Sequence, residues 1–343
     1  MKGMETEKKS IRRDALEKLF SQWLAEGRRI LAPKKIADKI DFAAVASLAE
    51  VSLDQVQTVQ SSKTSIFPRV EELFSFKSAD GRVQIRERDG ADLPATVIFG
   101  LRPCDAAAFA SLAAIFTWDN PDSLFSARLA RTTIVGVSCS RADEYCFCTS
   151  VGGHPGAMAG SDILLTELGN GEYLAEIVSE KGRQTVQGAA GLFQPAAGRE
   201  KESRLAKVEP AFNLEKIAPA LAALFADAAF WAEQSLRCLG CGACAYVCPT
   251  CACFDIQDEG GVSGQRLRCW DSCGFQLFTL HTSGHNPRSL QSQRWRQRLM
   301  HKFAYMPERQ QVLGCVGCGR CSRVCPVDMN ILEHLRAVAE VKP

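Results

Sequence analysis

Long apolar runs are missing from this chain. Its most apolar stretch, Ile217–Trp231, is 15 residues long and carries Pro219 and Asp227. That is too short and too interrupted for a helix that crosses a bilayer. The charged start, Met1–Arg13, lacks the apolar core of a secretory signal. Any membrane association is therefore expected to come through a partner. An excess of one charge is missing too: the net charge is +2 over 343 residues, which gives no bulk reason to expect nucleic acid. Glycine fingerprints for a nucleotide are absent. Gly169-Asn170-Gly171 and the glycines of 260–264 lack the strand–helix context, so neither flavin nor NAD is expected here. Histidine is sparse. His281 and His285 stand four apart without a carboxylate motif and are read as structural.

What is present is cysteine, sixteen of them, in a chain whose 46% hydrophobic and 23% charged residues are those of a globular protein. Eight fall in two runs, Cys238-x2-Cys241-x2-Cys244-x3-Cys248-Pro249 and Cys315-x2-Cys318-x2-Cys321-x3-Cys325-Pro326. This is the spacing with which bacterial ferredoxins hold [4Fe–4S] cubes. Zinc is the competing reading, but zinc sites usually pair two distant C-x2-C units. Three cysteines at intervals of three wrap one cube. Gly240, Gly242, Gly317 and Gly319 suit such a loop because it needs unusual φ values. The fourth cysteine lies too far along and in two-cluster ferredoxins ligates the other cube. The expected sets are Cys238, Cys241, Cys244 and Cys325 for cluster 1, and Cys315, Cys318, Cys321 and Cys248 for cluster 2. Residues 249–314 form an insertion between the runs. Clustered thiolates point to metal ligation in a reducing compartment rather than disulfides, so a cytoplasmic location is expected.

Length allows two domains. Residues 11–26 read as an amphipathic helix with Leu16, Leu19, Phe20, Trp23 and Leu24 on one stripe and Gly27 as the stop. Arg82–Arg86, Ala95–Leu101, Thr132–Ser138, Ile163–Thr166 and Tyr173–Val178 read as strands, with a helix over Cys104–Phe116. Strand, helix, strand in that order predicts an α/β unit. Residues 182–213 read as loops with a short helix, and 214–236 as a helix feeding the first run. The expected class is α+β: an N-terminal α/β domain, 1–212, then a ferredoxin-like dicluster domain, 213–343, with its long insertion.

Cys104, Cys139, Cys146 and Cys148 remain in the N-terminal half. Cys104 is expected at a helix N-terminus, which favours a thiolate, and Cys139 at the end of the next strand. Their convergence with Cys146 and Cys148 predicts a third [4Fe–4S] cluster. Buried free thiols, zinc and a redox-active pair are the alternatives. Asp105 is a candidate ligand or neighbour of that site. Cys251, Cys253, Cys269 and Cys273, all in the insertion, read as a fourth site or as packing that tunes the adjacent cluster. From Ser272 to Pro307 there is no acidic residue, while Arg288, Arg294, Arg296, Arg298 and Lys302 are present. These cations read as a solvated face, a docking surface for an acidic partner, or charge compensation for anionic clusters.

Several motifs together carry a family resemblance. They are Gly100-Leu101-Arg102-Pro103-Cys104-Asp105, Cys146-Phe147-Cys148, Cys248-Pro249-Thr250-Cys251-Ala252-Cys253-Phe254-Asp255, Trp270-Asp271-Ser272-Cys273, Gly284-His285-Asn286-Pro287-Arg288 and Gly317-Cys318-Gly319-Arg320-Cys321. Over roughly residues 65–330 the chain resembles the β subunits of cytoplasmic sulfhydrogenases and, equally, the A subunit of anaerobic sulfite reductase. It departs from that pattern at Ala252, where His is common, and at Cys269. The resemblance implies an iron–sulfur subunit of an oligomeric complex. Its implied partners are a flavin- and [2Fe–2S]-containing subunit that handles NAD(P)H, and a catalytic subunit of hydrogenase or sulfite reductase type. The resulting expectation is a non-catalytic electron-transfer component. The alternative is a redox enzyme in which an open-iron cluster acts directly on a small substrate. A redox sensor would want a DNA-binding or signalling motif, and none is found.

Overall fold

The computed structural model describes residues 6–196 and 198–341. Among the described residues twelve strands run in chain order: β1 (Glu7–Arg12), β2 (Arg29–Ile36), β3 (Lys39–Ala44), β4 (Val70–Ala79), β5 (Arg82–Glu87), β6 (Thr96–Leu101), β7 (Thr132–Val137), β8 (Ile163–Gly169), β9 (Glu172–Ile177), β10 (Gln194–Pro195), β11 (Phe254–Gly260) and β12 (Ser263–Trp270). They build two sheets, one ordered β10-β1-β9-β8-β7-β6-β2-β3 and one ordered β11-β12-β4-β5. The fold is mixed α/β.

In the larger sheet β2, β6, β7 and β8 are parallel neighbours, flanked by antiparallel strands. The two central strands, β6 and β7, are buried at every residue. That burial explains their charge-free, mostly apolar sequences, as expected for parallel strands covered on both faces. Alternate residues feed different cores. Val97 and Phe99 pack with Leu16, Phe20 and Trp23 of the helix Arg13–Ala25. Ile98 packs with Phe109, Leu112 and Phe116 of the helix Pro103–Phe116.

The second sheet is antiparallel and joins distant parts of the chain. β4 and β5 precede residue 212, while β11 and β12 belong to the insertion, and β12 pairs directly with β4. Arg268 on β12 reinforces the seam: it meets Glu71 of β4 and Asp122, and Glu71 also meets Arg128. A third core unites the C-terminal helices Ile217–Ala223, Ala228–Ser235, Gln291–Met300 and Ile331–Glu340 with Phe147 and Val151.

The helix expected over 214–236 is broken. It stops at Ala223 and restarts at Ala228. The Asp227 side chain accepts from Phe230 N and caps the second helix, and Trp231 Nε1 donates to Leu224 O at 2.7 Å. The capping aspartate that interrupts the apolar run therefore starts a new helix.

Candidate metal centres

The two cysteine runs fold alike. Gly240 and Gly242 have φ of 67° and 73°, and Gly317 and Gly319 have 65° and 72°. Glycine takes this left-handed region without a Cβ penalty. Each loop ends in a single helical turn, Ala243–Tyr246 and Arg320–Arg323, and the two turns pack together.

The cysteines sort across the runs. One cavity is lined by Cys238, Cys241, Cys244 and Cys325, and also by Cys273 and Cys321. Gln291 Nε2 donates to Cys238 Sγ at 3.1 Å, and Met329 N to Cys325 Sγ at 3.2 Å. Cys248 does not line that cavity. It is buried beside the start of the second loop: Thr250 Oγ1 lies 3.2 Å from its sulfur and donates to Gly314 O at 2.6 Å. Burial pushes the Cys315, Cys318 and Cys321 thiols up, Cys318 to about 12, and the negative charge of Cys248 close by adds to the rise in all three. Forming thiolates in such a place is costly unless a cation or metal receives them.

The N-terminal four also gather. Cys104 and Cys139 follow the carboxyl ends of the adjacent parallel strands β6 and β7. Cys104 lies near Cys318 and Cys139, and Cys139 near Cys148 and Cys146. Burial drives Cys104 well up, Cys139 to about 12 and Cys148 to about 11. At Cys104 desolvation outweighs the helix N-terminus expected to favour its thiolate. Gln57 Nε2 donates to Cys104 Sγ at 3.0 Å, and Arg323 Nη2 to Cys146 Sγ at 3.3 Å. This group is locked onto the second loop. Phe147 N donates to Gly317 O at 2.9 Å, and a Cβ on Gly317 would stand 2.5 Å from Cys148 N. Asp105 faces away from ligation: its two oxygens accept from Arg320 at 2.5 and 2.7 Å, both side chains fully buried.

The insertion's cysteines divide. Cys251, Cys253 and Cys273 line one cavity with Arg298 and Lys302. Cys269 is elsewhere, on β12 opposite Asp255 and Val70. Arg294, Arg298 and Lys302 are buried, so these three members of the acid-free stretch face inward rather than toward a partner. Arg298 donates to Cys244 O at 2.9 Å, and Lys302 Nζ to Cys248 Sγ at 3.4 Å. Burial pushes the Lys302 ammonium down, but the Cys248 and Cys251 thiolates more than offset it, and its pKa is raised.

Sequence reasoning missed Lys63. It is buried, donates to Ala245 O and Cys251 O at 3.0 Å each, and sits 4.0 Å over the Trp270 ring. Its contacts lie more than 180 residues away, so nothing local marks it. Arg320 was readable only as the middle of Cys318-x2-Cys321. Among the described residues no three His, Cys, Asp or Glu are gathered as around a single metal ion, and no helix is long and apolar enough to cross a membrane. A cube spreads its thiolates more widely than a single ion does, so the shared cavities are the relevant geometry.

A family model described as a 4Fe-4S dicluster domain matches residues 237–329. The chain is 32% identical over 332 residues to the beta subunit of sulfhydrogenase 2 from Pyrococcus furiosus, an alignment covering 94% of this chain and 95% of that relative.

Proposed function

The chain belongs to the family of sulfhydrogenase beta subunits, and from that premise we propose that it relays electrons between two other subunits of a cytoplasmic redox complex. One partner handles NAD(P)H through flavin and a [2Fe–2S] cluster, and the other is a catalytic subunit of hydrogenase or sulfite reductase type. The carrying observation is the cavity that brings Cys325 of the second run to Cys238, Cys241 and Cys244 of the first. It supports crossed ligation, with cluster 1 on those four and cluster 2 on Cys315, Cys318, Cys321 and Cys248. The convergence of Cys104, Cys139, Cys146 and Cys148 beside the second loop supports a third [4Fe–4S] cluster. The clusters supply one-electron chemistry. The chain's own part is to hold the thiolates, exclude water and balance charge with Arg298, Lys302 and Arg323. On this reading the dicluster domain covers 213–343, with 249–314 as its insertion, and the α/β domain covers 1–212.

The test uses the anaerobically reconstituted full chain. It should be reduced by dithionite and reoxidised by a viologen acceptor. It should show no NAD(P)H oxidation, hydrogen evolution or sulfite reduction until partner subunits are added. Turnover of any of these by the chain alone would overturn the relay. Cys325→Ala should abolish the electron paramagnetic resonance of the cube bound by Cys238 and leave that of the other run. Loss of the Cys315 cube instead would overturn the crossing.

A further inference from the structure

The protein treats its buried cations in two ways. Arg268 and Arg320 meet carboxylates. Arg102 and Arg294 have carbonyl or amide partners and border cysteine groups: Arg102 lies by Cys139, and Arg294 lines the cavity of Cys238. Lys63, Arg298 and Lys302 extend the second pattern around one spot. Lys63 reaches Cys251 O. Arg298 Nη1 stands 3.7 Å from Cys251 Sγ, and Lys302 Nζ contacts Thr250 Oγ1 at 3.1 Å and Cys248 Sγ at 3.4 Å. All three are buried, and their hydrogen bonds go to carbonyls, sulfur and a hydroxyl, with no carboxylate in ion-pair reach among the described residues. Buried charges are strongly unfavourable unless an opposite charge compensates them. Cys244 and Cys248, which the relay reading commits to the two cubes, supply part of that charge.

The cavity at this spot offers three more thiols that a metal could hold as thiolates. Cys251, Cys253 and Cys273 line it and no fourth cysteine does, while Cys251 also touches Cys248 of the second set. Beyond the thiols its wall continues through Arg288, His301, Tyr305 and Arg309, with no Asp or Glu in the lining. His301 is exposed, so this side communicates with solvent. We infer that Cys251, Cys253 and Cys273 hold a further iron–sulfur cluster by three thiolates, and that the iron left without a cysteine faces this cationic cavity and binds a small anion donating a lone pair. Three thiolates occupy three corners of a cube, and the fourth corner keeps an open coordination position, as metal centres that bind exogenous ligands do. The arginines of the wall select for negative charge. Binding forms one iron–ligand bond, displaces solvent and changes no oxidation state. The site goes beyond the electron relay and stands whether or not the N-terminal group holds its own cluster.

The experiment uses the full chain, reconstituted anaerobically and reduced, with cyanide as the probe. Wild type should show a cluster signal that shifts on adding cyanide, with hyperfine coupling to carbon-13 when labelled cyanide is used. The triple variant Cys251→Ala, Cys253→Ala, Cys273→Ala should lose about four irons per chain relative to wild type, as a [4Fe–4S] site requires, and lose the cyanide response. Full iron content in that variant overturns the site. Loss of iron with no cyanide effect in wild type overturns the open position. If the variant does not fold, wild type decides alone: absence of carbon-13 coupling at saturating cyanide overturns the inference. The relay is read from dithionite and viologen exchange and this site from cyanide binding to the unmodified chain, so failure of the relay and failure of this site are read separately.

Discussion

The two cysteine loops have the same spacing and nearly the same backbone, yet their surroundings differ. The first lies at the surface. Cys241 is exposed, and Leu236 and Leu239 beside it are 85% and 67% exposed. The second is enclosed: Cys318 is buried, Gly317 abuts the backbone of Cys148, and Gly319 abuts Tyr145. Where the first loop has Ala243, the second has Arg320, whose guanidinium is locked to Asp105 and Thr58. One motif thus stands at the surface and, a short distance away, is enclosed, which suits an external port and an internal relay on the proposed function. The difference lies in what the loop packs against, not in its ligands.

The comparison breaks first at Arg320. Arg320→Met leaves Asp105 charged, buried and unpaired, which should cost about 3–5 kcal/mol. Ala243→Met, at the matching position of the open loop, should cost far less. Thermal or denaturant unfolding of the two cluster-loaded variants checks this, and equal losses would erase the distinction. Next comes the glycine pair. Both Gly317→Ala and Gly240→Ala force a positive φ on alanine, at about 1–2 kcal/mol each. Only at Gly317 does the new Cβ meet backbone, 2.5 Å from Cys148 N. At Gly240 it meets Gln291 Oε1 at 3.0 Å, a side chain that can swing aside. Gly317→Ala should therefore add about 1–3 kcal/mol of overpacking and lower iron content, while Gly240→Ala keeps its iron. The smallest effect on stability sharpens the port. Leu236→Glu and Leu239→Glu should change stability by no more than about 0.5 kcal/mol and leave cluster spectra intact, yet slow electron exchange with a partner subunit. An unchanged exchange rate would move the port elsewhere.

How much of this was legible follows from how local each signal is. The cysteine runs and their glycines are written within a few residues, and the glycine torsions came out as the spacing required. The central strands were readable because burial on both faces leaves Thr96–Leu101 and Thr132–Val137 free of charge and rich in β-branched and apolar residues. β1, with the sequence EKKSIR, and the exposed β11 have no such pattern; pairing with β9 and with β12 makes them strands. The break at Asp227 was a capping signal masked by its apolar neighbours. Of the second sheet only β5, expected over Arg82–Arg86, was read; Lys63 and the pairing of β12 with β4 were not, because their partners are set by long-range closure.

That second sheet has a consequence in time. Arg268 and its partner Glu71 are 197 residues apart, and β4 has no neighbour on its β12 side until the later strand exists. At roughly 5–20 residues per second of synthesis, the edge waits roughly 10–40 s on the ribosome. During that interval the hairpin β4–β5 presents open backbone amides and carbonyls and the exposed Val70, Val83 and Ile85, the kind of edge that recruits other strands. The nascent chain is thus most vulnerable to misassociation before the second ferredoxin-type loop exists, and its supply of iron and its escape from aggregation become a single race.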